Sequence, residues 1–195
     1  MRHMTRRAAG LAPGGWDDDA RREVAGLFDG LAAEWHTRVT PERTAVVADA
    51  LRRGLDPLRS ADPTGGTAVE VGSGLGTYTP MLVERFGHVL AVEIAEDMLR
   101  LADPATGHRV LADCSRLPLQ DRSVQAVVAI NAFLFPEEVD RVLVPGGCLV
   151  WVNVSGTETP IHLHTEDVLA SLPFPTSGVE ATAGAGTWCV LRRTP

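Results

Sequence analysis

Hydrophobic positions recur along the chain in two rhythms. In residues 16–33, Val24, Leu27, Phe28 and Leu31 stand three or four apart, which lines them along one face of a helix. Asp17, Asp18 and Asp19 sit at its start, where the helix dipole favours negative charge. A second amphipathic helix opens at Thr40-Pro41, a capping residue followed by a first-turn proline. It carries Val46, Val47, Ala50 and Leu51 until Gly54 and Pro57 stop it. Ala33-Glu34-Trp35-His36-Thr37-Arg38 joins the two helices, and Asp62-Pro63-Thr64-Gly65-Gly66 reads as a loop leading into the first strand.

From residue 68 the rhythm changes. Short apolar runs at 68–71, 89–94, 109–112, 124–130, 148–154, 179–182 and 187–191 read as strands. Helical segments at 79–86, 96–102, 136–143 and 165–172 alternate with them. That alternation predicts an α/β fold with a doubly wound, mostly parallel sheet. The runs at 68–71 and 124–130 are apolar almost throughout, as strands covered on both faces must be. The expected organisation is a disordered leader at 1–15, an N-terminal helical cap at 16–59 and one core at 60–195, since 195 residues suffice for one well-buried domain.

Composition narrows the function. A net charge of −7 gives no basic face for phosphate neutralisation, which argues against nucleic-acid binding. All 18 basic Lys/Arg positions are Arg, so Schiff-base and lysine-nucleophile chemistry are excluded. No apolar run approaches the roughly 20 residues of a membrane-spanning helix. Cys114, Cys148 and Cys189 are scattered and odd in number, which fits a reduced, cytoplasmic protein.

The chemistry concentrates where the first strand ends. Gly72, Gly74 and Gly76 form a turn that lets a ligand approach main-chain N–H groups without a Cβ in the way. In open parallel sheets ligands bind beyond the carboxyl ends of the strands, so other strand ends supply the remaining candidates. Glu93 ends the second strand about 20 residues on, the offset at which a carboxylate reaches a ribose diol. Asp113 ends the third, where a carboxylate accepts a hydrogen bond from an exocyclic amine such as adenine N6. Asn131 follows the fourth. The dinucleotide spacing G-x-G-x-x-G is broken, because Thr77 stands where the third glycine belongs.

Glu70-Val71-Gly72-Ser73-Gly74-Leu75-Gly76, Ala91-Val92-Glu93-Ile94, Ala112-Asp113-Cys114-Ser115-Arg116-Leu117-Pro118-Leu119 and Leu143-Val144-Pro145-Gly146-Gly147 resemble the motifs of class I S-adenosylmethionine-dependent methyltransferases, in that family's order and spacing. The resemblance covers about residues 60–195. It implies a Rossmann-like seven-stranded sheet with an antiparallel last strand, and S-adenosylmethionine across the first strand ends. The turn (Gly72, Ser73, Gly74, Gly76) would approach the methionine part and Glu70 would anchor its amino end. Glu93 would hold both ribose hydroxyls, Asp113 and the Cys114 backbone would read adenine, Ile94 would pack on it, and Asn131 would lie near the sulfonium.

Methyl transfer asks mainly for alignment and exclusion of water, with a base only when the acceptor arrives protonated. His36, His162 and His164 are the imidazole candidates, His36 first because it lies between helices expected to fold over the cofactor. Trp35 would close the methionine end, while Phe133, Phe135 and His162 would contact the acceptor. No long insertion precedes the last two strands. A lid must therefore come from the N-terminal helices, the 155–164 loop or the second subunit of a homodimer, and an open site would admit a peptide as well as a small molecule. The expected activity is methylation of O, N or C of a small-molecule acceptor. Two other readings stay open: a regulatory protein that binds S-adenosylmethionine without turnover, and an NAD-dependent oxidoreductase.

Overall fold

A computed structural model describes residues 1–55, 66–104 and 107–194. Seven strands form one sheet in the order β3-β2-β1-β4-β5-β7-β6: β1 (Thr67–Val71), β2 (His88–Glu93), β3 (His108–Leu111), β4 (Val124–Ile130), β5 (Leu143–Asn153), β6 (Thr176–Ala183) and β7 (Gly186–Arg193). β1 to β5 pair in parallel, and β7 runs antiparallel to both β5 and β6. The chain winds outward in opposite directions from β1 and β4, which leaves a crevice at their carboxyl ends.

Alternation along the central strands builds two cores. Val127 and Ala129 of β4 and Leu149 and Trp151 of β5 pack on one face beneath helices α6 (Pro136–Val142) and α7 (Thr165–Ser171). Ala126, Val128 and Ile130 and the intervening β5 residues face α3 (Pro41–Asp49) and α4 (Thr79–Phe86), meeting Val46, Val47, Leu82 and Phe86. β5 starts five residues earlier than its apolar run, because Pro145-Gly146-Gly147 are absorbed through a register shift against β4.

Helix α2 (Asp18–Leu31) is capped by Asp17, whose carboxylate accepts from the Ala20 N–H at 2.8 Å. A 3-10 turn (Ala32–Arg38) connects it to α3, where the Thr40 hydroxyl caps and Pro41 opens the helix. A π-helical turn (Ala50–Gly54) then extends α3. Helix α5 (Glu96–Leu101) packs against α2 and the 3-10 turn through Ala95, Met98, Ala32 and Phe28.

The expected disordered leader is instead ordered. Residues Arg2–Ala8 form helix α1, with Met4, Thr5 and Ala8 buried. Met4 and Ala8 share one face and cover Phe133 and Ile161, while Arg6 pairs with Asp167 at 2.9 Å. The apolar spacing extends over too few residues to stand out in the sequence; burial against the rest of the fold supplies what local propensity does not. The loop read at 62–66 lies, apart from Gly66, outside the described residues, as does the expected boundary at 59–60. Among the described residues no helix is long and apolar enough to cross a membrane.

Candidate functional site

The strand ends open into one cavity of about 240 Å³. Glu70 of β1 and Gly72, Ser73 and Gly74 of the turn line it, with Glu93 and Ile94 at the end of β2, Asp113 and Cys114 after β3, and Asn131 after β4. Gly76 is off the lining. It is buried, and its N–H donates to the Ser73 carbonyl at 2.9 Å to close the turn.

All three turn glycines have positive φ, +65° at Gly72, +56° at Gly74 and +74° at Gly76, a region other residues enter only at a cost. A Cβ on Gly74 would stand 3.3 Å from the Trp35 indole nitrogen, so that ring lies directly over the turn. Part of the turn's donor capacity is spent internally. The Ser73 N–H donates to the Val92 carbonyl at 3.1 Å and the Gly74 N–H to Glu93 Oε2 at 2.7 Å. Helix α4 begins at Thr79, and the Thr79 hydroxyl donates to Glu70 Oε2 at 2.5 Å. The Ser73 hydroxyl is buried on the lining with no hydrogen-bond partner among the described residues.

The two glutamates are nearly inaccessible, Glu70 at 2% and Glu93 at 4% exposure. Burial pushes the Glu70 carboxyl up to about 7, opposed by the Thr79 bond and reinforced by the Glu93 charge. Burial also raises Glu93, although three backbone N–H groups support its charged form: Gly74, Ile94 at 2.8 Å and Ala95 at 2.9 Å. These donors fill three of the roughly four acceptor positions of a carboxylate. Asn131 holds φ +50°, rare outside glycine and asparagine, and its Oδ1 accepts from the Val154 N–H at 2.9 Å. That bond ties the end of β4 to the chain leaving β5.

Other expected residues separate into those on the lining and those off it. Trp35, Phe133 and Phe135 are on it. The two phenylalanines cluster with Trp16 and Ile94, at the Asp113 end of the cavity. His36 is exposed and off the lining, because the 3-10 turn that points Trp35 inward turns its neighbour out. His162 is buried outside the lining with its ring 4.6 Å from that of exposed His164, and burial lowers its pKa. The geometry gives neither His36 nor His162 the contact expected of a base or an acceptor ligand.

Several lining residues carry no motif. Trp16 reaches Asp113, Tyr78 follows the turn, and Arg38 and Arg43 project from the 3-10 turn and the first turn of α3. Ser155, Glu158 and Ile161 contribute a wall after β5, so both the N-terminal helices and this loop enclose the cavity. Neither Arg38 nor Arg43 has an acidic partner among the described residues; the Arg43 guanidinium donates to the Arg38 carbonyl at 2.6 Å. Arg43 also lies in the first turn of a helix, where the dipole disfavours a cation.

A sequence profile described as a methyltransferase domain matches residues 69–151. The malonyl-(acyl-carrier protein) O-methyltransferase of Marinomonas sp. (strain MWYL1) is 31% identical over 154 residues, covering 72% of this chain and 54% of that protein. The demethylmenaquinone methyltransferase of Clavibacter sepedonicus is 28% identical over 151 residues, covering 71% and 61%. The chain thus spans little more than half the length of the first of these relatives. Among solved structures, the DhpI-SAH complex superimposes with a TM-score of 0.67 over 90% of this chain and 97% of the other, at 20% identity, a likeness of fold.

Proposed function

This chain belongs to the class I S-adenosylmethionine-dependent methyltransferases, and from that premise we propose that it methylates a small acceptor, with a carboxylate oxygen as the nucleophile. The observation that carries the reading is the composition of one cavity: three carboxylates and a glycine turn from adjacent strand ends, a fourth carboxylate at Glu158 after β5, two arginines and, among the described residues, no imidazole.

The residues present fit the cofactor. The Ser73 hydroxyl, unpartnered among the described residues, and the Glu70 carboxyl, pushed by burial up to about 7, suit an amino-acid end, since an ammonium beside Glu70 would favour the charge that burial opposes. Glu93 keeps about one acceptor position for a ribose hydroxyl. Asp113, on the same lining after β3, would accept from an exocyclic amine, with Ile94 contributing to the apolar wall. When bound, S-adenosylmethionine supplies a methyl group on a cationic sulfur.

The protein's own part is orientation and exclusion of water. Trp35 covers the turn, and Leu31, Val39 and Val154 make the neighbouring wall apolar. A carboxylate acceptor is already deprotonated near neutral pH, so it needs no base, in keeping with a lining that holds no histidine among the described residues. Arg38 and Arg43 would hold it, or share the task with the cofactor's own carboxylate, and the Tyr78 hydroxyl, whose pKa burial raises, remains a proton donor. The similarity to an O-methyltransferase acting on a malonyl carrier protein supports the same acceptor chemistry.

Calorimetric titration with S-adenosylhomocysteine and with NADH tests the cofactor, the first binding and the second not. Incubation with methyl-labelled S-adenosylmethionine and an extract of small molecules tests the reaction. Base-labile label is expected, because methyl esters hydrolyse where N- and C-methyl groups do not. Tight S-adenosylhomocysteine binding with no label transfer would favour a non-catalytic binding protein.

A further inference from the structure

The Asp113 end of the cavity already holds an aromatic donor. Trp16, in the segment between α1 and α2, points its indole N–H at both carboxylate oxygens, 3.2 Å from Oδ1 and 3.1 Å from Oδ2. The ring packs against Phe133 at 5.2 Å and Phe135 at 5.1 Å, the latter edge-on. Anchors stand on both sides: Met4 and Ala8 of α1 before it, Ala20 and Val24 of α2 after it, and the Asp17 cap next to it. The Arg21 guanidinium lies 3.8 Å from the same carboxylate, and the Ser115 N–H donates to Oδ1 at 2.8 Å.

A flat bicyclic ring with an N–H astride a carboxylate is what adenine would also present to this residue. An N–H nearly equidistant from the two oxygens takes the frontal approach, and the Ser115 N–H already occupies one flank. The cavity is also small: about 240 Å³ is below the roughly 300–1,000 Å³ of ordinary ligand pockets, with cofactor and acceptor both to be held.

We propose that Trp16 occupies the adenine position in the free protein and that the cofactor enters only when the N-terminal arm releases Asp113. The inference rests on the reading of Asp113 as the adenine end. The arm is then a gate whose closed state competes with ligand, and the apparent affinity is reduced by the fraction of molecules with the gate open.

Trp16→Phe keeps an aromatic ring against Phe133 and Phe135 and removes the N–H. S-adenosylhomocysteine should bind this variant roughly three- to tenfold more tightly than wild type, mostly through faster association. Equal or weaker binding would overturn the gate and leave Trp16 as fixed wall. Wild-type protein supplies a second measurement independent of the variant's folding: in stopped-flow mixing the observed association rate should level off at high S-adenosylhomocysteine as arm opening becomes limiting. A rate that climbs linearly throughout argues against the gate. If neither protein binds S-adenosylhomocysteine, the cofactor reading itself fails and the gate falls with it.

Discussion

Glu70 and Glu93 sit on neighbouring parallel strands, equally hidden from water, and the chain treats them differently. Glu93 is held by three backbone N–H groups, Glu70 by one hydroxyl. Glu70 accordingly keeps its proton to about pH 7 in the folded state, against an ordinary value of 4.5. A folded pKa above the unfolded one stabilises the protein fully below pH 4.5, and that contribution is lost as pH rises through 7. Glu70→Gln keeps the Thr79 contact without titrating. The unfolding free energy of wild type minus variant should therefore fall between pH 5 and pH 8, by up to about 3 kcal/mol. Urea denaturation at the two pH values measures it, and a constant difference would mean that Glu70 does not titrate there. The sequence marked Glu70, Glu93, Asp113 and Asn131 because each interrupts or ends an apolar run. It did not mark Trp16, Tyr78 or Arg43, which reach the cavity through tertiary packing that no local pattern encodes, and His36 was singled out by its chemistry while its place in the 3-10 turn faces solvent.

At the scale of elements, period-2 and helical spacings located nearly every strand and helix, and the departures have local causes. β5 begins early because a bulge tolerates Pro145 at its start, and β6 and β7 run longer because their hairpin pairs through to Ala183 and Gly186. Helix α1 escaped because it is seven residues long and gains its stability from the surface it covers. The glycine turn was legible as a turn and Trp35 was expected at the same end of the ligand, but the contact of its indole with Gly74 appears only in the fold. Two substitutions separate these features. Gly184→Ala and Gly74→Ala impose the same backbone conformation, φ +57° and +56°, on an alanine, yet a Cβ at 184 meets nothing within 4 Å while one at 74 meets Trp35. Each should lose roughly 1–2 kcal/mol of stability from the left-handed backbone. Only Gly74→Ala should also weaken S-adenosylhomocysteine binding, by about tenfold or more, through displacement of Trp35 and of the N–H that Glu93 accepts. Equal calorimetric affinities for the two variants would show that the turn does not contact the ligand.

For the whole molecule, the decisive feature is that the cavity belongs to the most buried part of the fold. β1, β2 and β4 end in it, and the same strands carry Val69, Val92, Val127 and Val128, all 0% exposed. Both cores meet across these strands, so opening the strand ends means disrupting the sheet on which each core is built. A ligand held at the strand ends stabilises the sheet itself and so opposes global unfolding, whereas one held by peripheral loops alone would stabilise only their local structure. Saturation should then appear in global stability: at a hundred times its dissociation constant, S-adenosylhomocysteine adds about 2.7 kcal/mol. For a chain of this size that raises the melting temperature by roughly 5–10 °C, with a single transition preserved. Differential scanning calorimetry with and without ligand reads both quantities. A shift of that size with one transition is expected if the N-terminal helices unfold together with the sheet. A ligand-sensitive transition separated from a ligand-insensitive one would show instead that the arm and cap melt on their own, and that the ligand is held by them more than by the strand ends.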